Sequence, residues 1–179
     1  MPQQQTATTT NALSHHGPSE RERFISLYER ESATTRKVLA AYPAEHCELK
    51  PHDRSNTALA LARTFVIEQA LILMALNRDL VLGRGFPKTA DTWDGLLAEF
   101  DAGRAEILDL LRKSNDDIMN GTASFYTAPK QVGEYPIAEF VTFMTHDQIH
   151  HRGQMSVYLR MAGARVPSIY GPSADEPWN

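Results

Sequence analysis

The chain has 179 residues, enough for one domain with a sizeable core, which excludes a miniprotein held together by staples. Lys and Arg number 18 against 22 Asp and Glu, a formal charge of -4 with no basic stretch, so no nucleic-acid partner is expected. Hydrophobic residues at 42% exclude wholesale disorder, and a single cysteine, Cys47, excludes an internal disulfide.

Residues 1–18 are rich in Gln, Thr, Ser and Asn and carry no periodic apolar face, so they are expected as a flexible tail ahead of one domain over 19–179. The start has neither a basic nor a long apolar segment, and a cytoplasmic protein is expected. A first helix begins near Pro18, carries Phe24, Leu27, Tyr28, Val38, Leu39 and Tyr42 at helical spacing, and stops at Pro43. Ser55 or Asn56 can cap a long second helix reaching about Leu82, where Gly83 and Gly85 end it. Arg63, Glu68, Gln69, Arg78 and Asp79 interrupt its apolar run too often for a membrane span.

Thr89 or Asp91 opens a third helix with Trp93, Leu96, Phe100, Ile107, Leu108 and Leu111 on one stripe, ending near Lys113. Residues 114–134 read as a packed connection in which a short hairpin is possible. A fourth helix starts at Tyr135 and Pro136 and runs to Gly163, followed by an irregular, proline-rich end. Four helices of similar length predict an all-α fold, a four-helix bundle. No phosphate loop, paired-cysteine box or nucleophile elbow occurs in the sequence.

Chemistry concentrates in Thr145-His146-Asp147-Gln148-Ile149-His150-His151-Arg152. Helical positions four apart share a face, so His146 and His150 can present imidazoles to one divalent ion. His151 is turned about 100° away and can pair with Asp147, an arrangement that leaves His151 outside the ligand set. Two ligands leave a site short, so the third must come from another helix.

The string HDQIHHRGQMSVYLRMAG, followed by VPSIYG, resembles the DinB-like (DinB/YfiT) superfamily. The resemblance extends loosely over residues 52–171 and implies a four-helix bundle, usually dimeric, with a divalent metal held by three histidines. It also implies metal-dependent thiol transfer, isomerisation or amide hydrolysis, in which the metal activates water or a low-molecular-weight thiol. The family's two late ligands fall on His146 and His150. Its early histidine falls on Thr64, and no histidine lies between His52 and His146.

Glu68 lies one turn after Thr64 among Phe65, Val66, Ile67, Leu71 and Ile72, and a carboxylate on an apolar face needs a partner. Zinc or nickel held by His146, His150 and Glu68 would supply one; pairing of Glu68 with a protonated His146 or an arginine is the alternative. Two functions follow. One is a metal-dependent enzyme using a metal-activated nucleophile; the other is a stress-related binding or dimeric interaction bundle that has lost the early ligand. Arg152 and Arg160 are expected to bond the final segment or a partner subunit, and a homodimer is expected from surplus apolar surface at residues such as Trp93 and Phe143.

Overall fold

The computed structural model describes residues 17–179. The tail expected over residues 1–18 therefore lies, apart from Gly17 and Pro18, outside the described residues. Among the described residues there are four α-helices, α1 (Glu20–Ala40), α2 (Ala58–Leu76), α3 (Trp93–Lys113) and α4 (Ile137–Met161), and two strands, β1 (Thr122–Ala128) and β2 (Gln131–Pro136). The fold is thus mostly helical rather than purely so. The hairpin admitted between 114 and 134 is present as an antiparallel pair running from Thr122↔Pro136 to Ala128↔Gln131, and it extends directly into α4.

Local chemistry sets the helix ends. Ser19 and Glu22 form a reciprocal capping box on α1. Thr57 and Thr92 cap α2 and α3 by accepting from Ala60 N and Gly95 N, each later in the chain than the caps expected from sequence. The largest difference is the end of α2, which stops at Leu76 and not near Leu82. Arg78 enters the left-handed region at φ 60°, a conformation that halts a helix even though Leu80, Val81 and Leu82 prolong the apolar run.

α2 packs against α3 and α4, and α1 packs against the same two helices. By length and composition α2 could cross a membrane, but here it contributes Phe65, Ile72, Ala75 and Leu76 to the core. That core is split. One cluster joins Phe24, Tyr28, Ile72, Ile107, Ile137 and Phe140; the other joins Leu39, Phe65, Trp93, Phe100, Met155 and Leu159.

Buried polar side chains occupy the middle of the helices between these clusters: Glu31, Ser32 and Thr35 on α1, Glu68 and Gln69 on α2, and Thr145, Gln148 and Arg152 on α4. Burying them costs free energy unless they find partners. Gln69 donates to Tyr28 Oη at 3.0 Å, and Thr145 returns its hydroxyl to Val141 O at 2.9 Å. Arg152 is 1% exposed and donates to Glu31 O, Thr35 Oγ1, Glu31 Oε2 and Tyr170 Oη. Tyr170 belongs to the segment after α4, so Arg152 does bond the final segment, as the sequence led us to expect.

Candidate metal centre

Gln69 Oε1 and Gln148 Nε2 lack partners in this belt, and Glu68 stands out there as the carboxylate left without any. It is 3% exposed, and neither carboxylate oxygen has a hydrogen-bond partner. Across the α2–α4 contact it faces Asp147 and His151, and one ligand atom from each of the three residues lies within 4.8 Å of the others. Glu68 Oε1 is 3.6 Å from His151 Nε2, beyond hydrogen-bonding distance, and His151 Nδ1 is buried without a partner.

Electrostatics set the protonation of this group in the absence of an ion. Burial, and then the negative charge and proximity of Asp147, push the Glu68 carboxyl up to about 10. Burial lowers the pKa of His151, opposed by Asp147 and reinforced by His150. Without a cation the pocket therefore favours a neutral acid beside a neutral imidazole. A divalent ion would reverse that preference by neutralising the carboxylates and taking up the unpartnered Glu68 oxygens.

Two carboxylates and one imidazole match the donor types of zinc and of neighbouring first-row ions, and three protein ligands leave a coordination position open. The residues thus fit a divalent metal. Of the expected ligand set, the structure brings only Glu68 into this group. His146 and His150 are exposed on the outer side of α4. His150 Nε2 lies 3.0 Å from Gln154 Nε2, while His146 lines a separate cavity between α1 and α4 with Arg23, Phe24 and Phe143.

The reason is the register of α4. Its inward stripe runs through Phe140, Met144, Gln148, Met155 and Leu159. Asp147 and His151 follow Met144 by three and seven residues and flank that stripe, whereas His146 and His150 follow it by two and six and point away. Asp147 and His151 do share a face, as the sequence indicated, but that face looks toward α2 and Glu68. Counting both i,i+4 pairs from the apolar stripe is the signal that finds them. Thr64, aligned with the early ligand, is half-buried and donates its hydroxyl to Ala60 O at 3.3 Å.

The sequence profile of the DinB family matches residues 14–178. The chain belongs to the DinB family. Its fold resembles that of a DinB-like protein from Bacillus cereus ATCC 10987, with a TM-score of 0.63 at 19% identity over 82% of this chain and 95% of that one. It likewise resembles the DinB-like protein YjoA from Bacillus subtilis, with a TM-score of 0.60 at 14% identity over 82% and 97% of the two chains. In sequence, 43 residues are 46% identical to the uncharacterized protein YrdA of Bacillus subtilis strain 168, spanning 24% of this chain and only 26% of that protein. At these identities the solved structures establish the DinB-like fold and leave the chemistry to the residues described above.

Proposed function

We propose that this DinB-family protein is a metal-dependent enzyme whose ion is held by Glu68, Asp147 and His151. The observation that carries the reading is the buried Glu68 carboxylate, whose two oxygens lack partners while an acid and an imidazole from α4 converge on it. When bound, zinc or a similar divalent ion supplies Lewis acidity and lowers the pKa of a coordinated water or low-molecular-weight thiol. The chain's own contribution is to hold three donors on two rigid helices and to exclude water from the Glu68 side. Thiol transfer and hydrolysis both suit such a nucleophile, and the family resemblance supports them.

The same reading takes the protein to be a four-helix bundle that works in the cytoplasm as a homodimer. Exposed Phe143, Val157 and Met161 on the outer side of α4 support self-association. The alternative, a binding bundle without metal, is favoured by the raised pKa of Glu68, because a neutral Glu68 beside Asp147 needs no cation.

Metal analysis of untagged protein separates the two. Close to one equivalent of metal per chain, lost in both Glu68→Ala and His151→Ala but retained in His146→Ala, supports the enzyme. Metal-free wild-type protein that also fails to take up zinc during titration rejects it.

A further inference from the structure

Near the C-terminal end of α2 lies a cavity of about 360 Å³. Leu71, one turn after Glu68, and Met74 form its α2 wall, and Phe125 and Tyr126 of β1 face them. The Asp79–Phe86 loop completes it. Phe125 is fixed by an edge-on contact with Phe140, with ring centroids 5.2 Å apart, so one wall is anchored in the core. The rim is different. Val81, Phe86 and Tyr126 are 49%, 64% and 49% exposed, so three large apolar side chains reach water around one opening.

Apolar side chains crowded around a concave opening mark a ligand site more often than a bare surface does. The volume lies within the usual range for small-molecule sites, and among the lining residues Asp79 and Arg84 carry opposite charges, giving no net preference for an ion. Gly83 and Gly85 have φ of +89° and +78°, values that most side chains resist, and nothing crowds either residue. These two glycines permit the tight backbone path by which the loop lines the cavity.

We propose that this cavity binds a neutral, ring-bearing apolar group of a small molecule. Its place one turn from Glu68 makes that group the non-reacting part of the substrate, a statement that rests on the metal-centre reading. Phe86 and Tyr126 stack on the ring, and Leu71, Met74 and Phe125 exclude water from it.

The test uses N-phenyl-1-naphthylamine, a neutral fluorescent aromatic probe, titrated into the full chain with and without zinc. Wild-type protein should bind one equivalent saturably whether or not zinc is present. Met74→Trp, which fills the cavity, should weaken binding about ten-fold or more, and Phe86→Ala about three-fold, while Thr142→Trp in the separate α1–α4 cavity should change it less than two-fold. Phe86→Ala alters an exposed side chain and keeps the test decisive if Met74→Trp fails to fold. No saturable binding, or loss of binding in Thr142→Trp alone, would overturn the proposal. Probe binding with these variant effects by a protein that takes up no zinc would reject the metal centre and leave the cavity assignment standing.

Discussion

Glu68 Oε1 lies 3.6 Å from His151 Nε2 across the α2–α4 contact, and neither group completes its bonding there. The separation suits a shared ion better than a direct ion pair. It also makes Glu68 a source of instability whenever no ion is present.

In metal-free protein the folded state holds the Glu68 proton up to about pH 10, while the unfolded chain releases it near 4.5. Stability must therefore fall as pH rises through that window. Glu68→Gln removes the slope, and the metal-free variant should be roughly 2–3 kcal/mol more stable than wild type at neutral pH. Urea denaturation at several pH values measures this. Added zinc should stabilise the wild type and not the variant; equal responses to zinc would remove Glu68 from the ligand set.

Arg152 and Glu31 form the opposite case, a buried pair with every strong partner in place. Removing Arg152 leaves Glu31 buried with only the largely exposed Arg30 and the neutral Tyr170 as partners. Arg152→Met should therefore cost about 3 kcal/mol, the low end for breaking a buried pair. In a chain of this size that corresponds to a fall in Tm of roughly 10 °C. A fall of only one or two degrees would mean that solvent reaches the pair.

Glu31 also sets an acid limit. Burial alone would raise its pKa, but hydrogen bonds from Tyr170, Arg152 and Arg30 outweigh burial and hold the carboxyl below its ordinary value. Its stabilising contribution is complete above the unfolded-state pKa and is lost as pH falls through the lower folded-state value. Glu31→Gln should lower stability at neutral pH and flatten the acid limb of the stability profile in the same denaturation experiment.

Gly153 lies on the exposed side of α4, and a Cβ built there meets nothing within 4 Å. Gly153→Ala should therefore stabilise the chain by about 0.5–1 kcal/mol through helix propensity alone. Thermal unfolding at low protein concentration checks this. Destabilisation that grows with concentration would instead show that a second copy approaches α4 at this glycine.

The helices were legible because α1 and α3 carry apolar stripes, α2 is apolar nearly throughout, and caps fall within a few residues of where chemistry requires them. Periodicity overran α2 because Leu80, Val81 and Leu82 continue the hydrophobic signal past Arg78, and a left-handed backbone leaves no trace in hydropathy. Glu68 stood out as a carboxylate among aliphatic residues. Its partners were harder to read, since α4 offers two overlapping i,i+4 pairs, His146 with His150 and Asp147 with His151, and spacing treats them alike. Their offsets from the apolar stripe of α4 separate the two pairs, but which flank meets Glu68 depends on the direction from which α2 packs, and that is a tertiary fact.

The segment after α4 ties distant parts of the chain together. Tyr170 bonds Glu31 on α1, Asp175 takes Arg160 of α4, and Glu176 takes Lys37 of α1. Residues separated by up to 139 positions thus close on one another. Neither α1 nor the last turns of α4 can fray without releasing this clasp, so their amides should exchange hydrogen with solvent as one cooperative unit. Cutting the chain just after Met161 would divide that unit, letting α1 exchange ahead of α2 while leaving the contact between α2 and α4 intact.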